Sequence, residues 1–281
     1  PSQQVLYKEE ISDSFFRKKD FKKVRDEIIM FRDEYKVEAF YFWADTFFAY
    51  SSKEFDEFIE MYSEFKIPFW CQTRPETVTY ERIKQLTEIG MFRMAFGIEH
   101  GNYEFRKKVV GRDLLNETVV NAMNQVNRVG VPYSVNNILG FPYETRSLVF
   151  DTIELNRKFK PDNTNAYSFS PFHGTPLRAM AEKEGYIRKG RIARSIMRPT
   201  ILNMPKFPQN QIEGIRRCFT MYVKLPKNRW SQIEKAEKLT PEGNKIWGEL
   251  AEEISEISNN IDWKVKPDTA FEDLAMGKMI N

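Results

Sequence analysis

The feature that most constrains this chain is a repeating cadence. A run of β-branched and aromatic residues of strand length is followed by a short polar break and an amphipathic stretch, and then the cycle restarts. Such runs at 37–43, 67–72, 92–98, 133–139 and 164–170 recur roughly every 25 to 35 residues. An amphipathic stretch over 20–35 precedes the first, with Phe21, Val24, Ile28, Ile29 and Phe31 at helical spacing. Helical stretches follow at 55–65 behind the caps Ser51 and Ser52, at 79–87 and 116–128 before Gly90 and Gly130, from Thr145 through Leu155, and at 177–183. Strand–helix alternation with short links predicts an α/β fold: a parallel sheet with right-handed crossovers. A doubly wound sheet and a barrel both satisfy this pattern. Polar residues close every strand rather than one switch point, which favours a barrel or partial barrel. After Gly190 the cadence stops, and 209–223 and 241–257 read as helices with Trp230 and Trp247 as packing anchors. The expected organisation is a barrel-like domain over 1–190, with an irregular lead-in at 1–16, and a helical C-terminal extension over 191–281. A tail or packing strap starts at Ile261.

Charge excludes some classes of function. Lys and Arg number 43 against 40 Asp and Glu, a net charge of +3, and no basic block or stripe stands out. There is thus no electrostatic case for nucleic acid. No apolar run reaches the roughly 18 residues of a membrane span, and the first residues lack a secretory core, so a cytoplasmic protein with no membrane partner is expected. Cys71 and Cys218 are too few for a disulfide framework and too far apart for a metal motif. The two histidines, His100 and His173, lack the companions of a metal site, and His173 reads as a turn residue before Gly174. Cys71, late in a strand, reads as a small buried hydrophobe. No nucleophile elbow, phosphate-binding glycine loop or zinc-protease helix occurs.

The organising stretch is Val131 to Thr145, Val-Pro-Tyr-Ser-Val-Asn-Asn-Ile-Leu-Gly-Phe-Pro-Tyr-Glu-Thr. It reads as a buried strand ending at Gly140, a turn through Pro142, and a helix opened by Glu144 and Thr145. A glycine at a strand end admits close approach, because no Cβ stands in the way. In a parallel barrel the C-terminal strand ends form one rim. Collected in order, that rim carries Asp45, Arg74, Glu99, Asn136 with Asn137, and Ser168 with Ser170. Carboxylates, a guanidinium, amides and hydroxyls suit a zwitterionic ligand bearing sugar hydroxyls. Each residue alone also has a structural reading: Arg74 pairing with Glu76, for example, or Glu99 capping the next segment.

In combination these motifs resemble the radical S-adenosylmethionine superfamily, within it the group that carries a cobalamin-binding domain upstream. Phe42-Trp43-Ala44-Asp45-Thr46-Phe47, Phe69-Trp70-Cys71-Gln72-Thr73-Arg74 and Gly97-Ile98-Glu99-His100-Gly101 are similar to its second-, third- and fourth-strand motifs. Ile138-Leu139-Gly140-Phe141-Pro142-Tyr143-Glu144-Thr145 and Pro171-Phe172-His173-Gly174-Thr175-Pro176-Leu177 resemble the fifth and sixth. The resemblance covers about Asp20 to Gly185. It implies a partial (β/α)6 TIM-like barrel, here lacking its first strand. It also implies that Asp45 lies near the methionyl amine of S-adenosylmethionine and Arg74 or Arg112 near its carboxylate. Glu99 would face the ribose, Ile138 and Gly140 the adenine, with Asn136 and Ser168 completing the cofactor site. In the family a [4Fe-4S] cluster on three cysteines reductively splits S-adenosylmethionine, and the resulting 5′-deoxyadenosyl radical takes hydrogen from substrate. The resemblance further implies an electron donor such as flavodoxin or ferredoxin, a small-molecule substrate, and cobalamin through an upstream domain.

The chain departs from the family in lacking the Cys-x-x-x-Cys-x-x-Cys triad. The expectation is a C-terminal part of a radical enzyme, inactive alone, whose first strand and cluster loop precede Pro1. The alternative is a cluster-less homologue kept as a binding module. A methylthiotransferase relative would carry a C-terminal RNA-binding β domain, which the helical end speaks against. His100 replaces the usual serine and Tyr143 the usual glycine, which bears on the ribose and loop contacts.

Overall fold

The computed structural model describes residues 18–44 and 46–259; the lead-in at 1–16 and the tail from Ile261 lie outside them. Its strands are β1 (Phe40–Phe42), β2 (Phe69–Thr73), β3 (Met91–Glu99), β4 (Tyr133–Leu139) and β5 (Asn163–Ser168). They form one five-stranded sheet in the order β1-β2-β3-β4-β5. Pairing is parallel, with Phe40 opposite Phe69 and Thr73 opposite Phe96, so strand ends gather at one edge of the sheet. Consecutive order with crossover helices is the α/β arrangement that the cadence predicts. Among the described residues the sheet stays open, β1 and β5 being its edges.

Two compact units make up the chain, residues 18–97 with 120–134, and residues 98–119 with 135–259. In the first, α1 (Phe21–Asp33), α2 (Ser52–Ser63) and α3 (Tyr80–Glu88) accompany β1, β2 and most of β3. Local chemistry sets their starts. Asp20 accepts from the Lys22 amide, and Ser51 and Glu54 form a reciprocal capping box. Phe42, Phe58, Tyr62 and Phe69 pack edge-to-face between α2 and the strands, with ring centroids 4.9 to 5.7 Å apart for the Phe42–Phe58, Phe42–Tyr62 and Tyr62–Phe69 pairs. The expected strand 37–43 is shorter than its apolar run. Lys36 turns the chain with φ 54°, only Phe40–Phe42 pair with β2, and Trp43 is 79% exposed.

In the second unit, α4 (Asn116–Val129) begins, β4 ends, and α5 (Arg146–Asn156), β5 and α6 (Pro176–Lys183) follow. Then come α7 (Gln209–Arg217), α8 (Phe219–Lys224), α9 (Trp230–Ala236) and α10 (Pro241–Asn259). Their apolar faces share one core with β4 and α5, built on Leu139, Phe141, Val149, Ile153, Phe219 and Tyr222. The helix expected over 209–223 breaks at Cys218, whose φ of −101° and ψ of 3° leave the helical region. Tertiary bonds favour the break: Trp247 Nε1 donates to the Arg217 carbonyl at 3.0 Å, and Thr220 Oγ1 to that of Thr164 at 2.7 Å. None of the described helices is long and apolar enough to cross a membrane.

Gly101 sets the packing of α5. A Cβ there would stand 2.3 Å from Thr152 Cα and 2.4 Å from the Asp151 carbonyl oxygen, both backbone atoms. The Gly101 amide donates to Thr152 Oγ1 at 2.8 Å, and Asn102 Nδ2 to Asp151 Oδ2 at 2.8 Å. Gly101→Ala is expected to cost about 2 to 3 kcal/mol, the upper range for forcing a methyl into a packed interface. Urea unfolding measures this directly; a change below ~0.5 kcal/mol would show that α5 can retreat freely.

Candidate functional site

At the C-terminal end of β3, Glu99 adopts a positive φ of 70°, which a residue with a Cβ rarely does. Such conformations cost on the order of 1 kcal/mol or more and persist where the surroundings impose them, often at ligand sites. Here the side chain, 27% exposed, lies 3.5 Å from Arg112 Nη1, whose own side chain is 15% exposed. A largely covered carboxylate–guanidinium pair of this kind combines an acceptor for hydroxyls with a donor fork for a carboxylate.

A buried polar network holds this pair in place. Beyond Glu99 the chain turns through His100 and Gly101 into a short helical segment, Tyr103–Phe105, which continues as a π-turn over Arg106–Val110. Gly111, at φ 75°, ends it. Arg106 is fully buried, and its guanidinium donates to the carbonyls of His100 and Leu114 and to Asn116 Oδ1 at 2.9 Å. Asn116 Nδ2 in turn donates to the Gly101 carbonyl at 3.0 Å, and the Arg112 amide to the Arg106 carbonyl at 3.0 Å. The loop that carries Arg112 is thereby tied to the loop that carries Glu99.

The same network reaches the end of β4. His100 is buried; its Nδ1 accepts from the Asn102 amide at 3.0 Å, which assigns the ring proton to Nε2. Nε2 lies 3.2 Å from Glu144 Oε1, and both side chains are sealed from solvent. The other carboxylate oxygen, Oε2, accepts from the amides of Gly140 and Phe141. Gly140 has φ 89°, and a Cβ there would meet only Ile212 and Thr200 side chains at 3.4 Å or more. Backbone conformation, rather than close approach of another chain, therefore demands this glycine. Glu144 does not open the following helix: Thr145 is its N-cap, and the Glu144 side chain folds back to hold the Gly140 turn.

The remaining residues singled out in the sequence are placed unequally. Asp45 lies outside the described residues. Arg74 belongs to the unit of residues 18–97; its side chain is 56% exposed and 3.8 Å from Glu76. Asn136 accepts from Asn165 Nδ2 at 2.9 Å across β4 and β5, and Asn137 pairs with Asn156 at 2.9 Å. Ile138 packs, partly buried, against the shared core. Ser168 is 2% exposed, and its hydroxyl has no hydrogen-bond partner among the described residues. Next to it, the Phe169 amide donates to the Leu139 carbonyl at 2.7 Å, which sets the end of β5 beside Gly140. The structure thus joins Glu99 with Arg112, and Gly140 with the end of β5. His100, Glu144 and Arg106 were missed as working parts. The first two sit inside recognisable motifs, whereas nothing in the sequence marks Arg106. A cleft of about 610 Å³ lies elsewhere in this unit, beside Arg146, Asn210, Gln211, Glu234 and Lys238. Its Arg146 is already engaged by Glu237, through two bonds of 2.7 Å.

The two cysteines do not suit an iron–sulfur cluster. Both are buried, Cys71 in β2 with its Sγ 3.7 Å from Met91 Sδ, and Cys218 between α7 and α8. Burial pushes the Cys71 thiol far up and that of Cys218 to about 12, whereas a cluster ligand must be a thiolate. Among the described residues no group of three or more His, Cys, Asp or Glu could hold a metal ion.

Comparison with known proteins agrees with this architecture. Residues 9–155 match the model of the Radical SAM superfamily. An uncharacterized methyltransferase of Pyrococcus horikoshii is 22% identical over 73% of this chain and 45% of its own length. A tRNA-2-methylthio-N(6)-dimethylallyladenosine synthase of Halalkalibacterium halodurans is 30% identical over 34% of this chain and 18% of its own. The chain therefore spans less than half the length of these curated relatives. Among solved structures, coproporphyrinogen III oxidase (HemN) of Escherichia coli, a radical SAM enzyme, has a TM-score of 0.54 at 14% identity, over 77% of this chain and 51% of that one. The cobalamin-dependent S-adenosylmethionine radical enzyme OxsB, with aqua-cobalamin and S-adenosylmethionine bound, has a TM-score of 0.54 at 16% identity, over 84% and 41%. With residues 9–155 of 281 inside the family match and the family's fold around its open parallel sheet, this chain belongs to the Radical SAM superfamily.

Proposed function

We propose that this chain is the S-adenosylmethionine-binding part of a radical SAM enzyme, of the type that works with cobalamin in methylation or rearrangement. The observation that carries this reading is the Glu99–Arg112 pair, held on a strained turn beside the anchored Gly140 loop. Bound S-adenosylmethionine would supply a sulfonium whose carbon–sulfur bond is reductively broken. The chain's own residues bind and orient it. Glu99 accepts from the ribose hydroxyls, Arg112 donates to the methionyl carboxylate, and Ile138 with Gly140 offers the adenine an apolar ledge. Asn136 in the middle of β4 and Ser168 at the end of β5 belong to the proposed set, and the resemblance to the family adds Asp45 and Arg74 to it. The cluster's ligands, an electron donor of the flavodoxin or ferredoxin kind, cobalamin and a small-molecule substrate belong to the same proposal, with the cluster held by cysteines other than Cys71 and Cys218.

Isothermal titration of S-adenosylmethionine into the chain tests this directly. Glu99→Gln is expected to weaken binding about tenfold, the effect of losing charge-assisted acceptance from two hydroxyls. Equal affinity in the variant would remove Glu99 from the site. A second reading, a cluster-less binding module, draws on the two deeply buried thiols. Anaerobic reconstitution of the full-length protein followed by iron and sulfide analysis separates the two, because full cluster occupancy excludes the second.

A further inference from the structure

The cleft of about 610 Å³ beside Arg146 has the size of a small-molecule site, and the proposed cofactor chemistry makes no use of it. It lies wholly within the unit of residues 98–119 and 135–259. Three elements wall it: Arg146 at the start of α5, Asn210 and Gln211 in the first turn of α7, and the segment 234–240 that leads from α9 into α10.

The third wall is pinned by close backbone packing. A Cβ at Gly214 of α7 would stand 2.7 Å from the Glu237 carbonyl oxygen, and one at Gly243 of α10 2.0 Å from that of Lys238. Glycine lets these carbonyls lie directly on the two helices, so the cleft is formed before any ligand enters. Ile212, one residue beyond Gln211, is the group nearest to a Cβ placed on Gly140, at 3.4 Å. The cleft and the Gly140 turn are thus neighbours on either side of the first turn of α7.

The charges along the walls are not equally available. Arg146 and Glu237 are joined by two bonds of 2.7 Å, and Tyr222 Oη donates to the same Glu237 carboxylate at 2.5 Å. Glu234 and Lys238 differ: both are exposed, and neither side chain has an ion-pair or hydrogen-bond partner among the described residues. Four residues apart, they would pair on a continuous helix. Instead α9 ends at Ala236, and Lys238 lies beyond it. Between them and α10, Thr240 Oγ1 accepts from the Gly243 amide at 3.1 Å and keeps its own proton to donate. Leu239 supplies an apolar spot, 54% exposed.

We propose that this cleft is a second ligand site, which takes a small zwitterion of the amino-acid or short-peptide class. Its ammonium sits on Glu234, its carboxylate on Lys238 and the Thr240 hydroxyl, and an apolar side chain lies over Leu239. The amides of Asn210 and Gln211 serve the polar groups between the two charges. A bare anion would leave Glu234 unmatched and a bare cation Lys238, whereas a molecule with both charges matches both. The inference goes beyond the proposed function and does not depend on it.

Isothermal titration of L-leucine and of L-leucyl-L-leucine into the chain tests the proposal, and the tighter of the two shows whether the charges are read at amino-acid or dipeptide spacing. The same molecules with the ammonium acetylated or the carboxylate amidated are expected to bind about tenfold more weakly. The double variant E234Q/K238Q is expected to weaken the preferred zwitterion about tenfold with wild-type thermal unfolding, since both side chains are exposed. No binding of either zwitterion by about 10 mM overturns the proposal. So does equal affinity in E234Q/K238Q, or an acetylated ligand that binds as tightly as its parent. S-adenosylmethionine, itself a zwitterion, is expected to bind E234Q/K238Q as it binds wild type. Weaker binding there would make the cleft the cofactor's own seat and overturn the claim of a second site, whereas failure of S-adenosylmethionine to bind wild type defeats only the cofactor reading.

Discussion

Glu144→Ala is expected to lower stability by about 3 to 4 kcal/mol, because it takes away the charged acceptor shared by two backbone amides in a buried turn. The Gly140 and Phe141 amides lose their shared acceptor, and His100 Nε2 faces an empty space where Oε1 stood 3.2 Å away. The His100 and Glu144 side chains are both fully covered. Glu144→Gln keeps one carbonyl-type acceptor for the turn and removes the charge, so about half the loss is expected from it. Beyond stability, the Gly140 turn is held at φ 89° by this carboxylate, and affinity for S-adenosylmethionine should fall even where the variant remains folded. Urea unfolding and nucleoside titration on the same samples check both effects. A stable Glu144→Ala protein would show that the turn is self-supporting.

The second large effect is at Arg106. Its guanidinium serves His100 O, Leu114 O and Asn116 Oδ1 from a fully buried position. Arg106→Leu keeps apolar volume and leaves these acceptors without a donor, at an expected cost of about 3 to 5 kcal/mol. Arg106→Lys should recover little of it, because a single ammonium cannot span acceptors matched to a planar fork. The π-turn Arg106–Val110 and the Arg112 beyond it depend on that fork, so the Glu99–Arg112 distance of 3.5 Å should not survive the change. The measurement is thermal unfolding together with hydrogen exchange at the Arg112 amide, whose protection is expected to vanish.

Much of the fold was legible because its determinants are local. The strand 133–139 appears residue for residue as β4, since Gly140 and Pro142 punctuate an apolar run on the spot. Thr145 caps α5, and Gly90 and Gly130 follow their helices with positive φ, as the residue types alone demand. What failed depended on distant partners. β1 is three residues long because only three find a neighbour, and 209–223 breaks at Cys218 because Trp247 and Thr164 claim groups from either side of it. The site divides the same way. Glu99, Arg112 and Gly140 stand in or near motifs and could be named, whereas the service of Arg106 to two carbonyls exists only after the chain has folded.

A crystal structure of this chain grown with S-adenosylmethionine meets the central claim head-on. The account predicts the ribose hydroxyls on Glu99, the methionyl carboxylate near Arg112 and the adenine against Ile138 and Gly140. A ligand seated in the cleft beside Arg146 and Glu234 instead, with the end of β3 untouched, would contradict it.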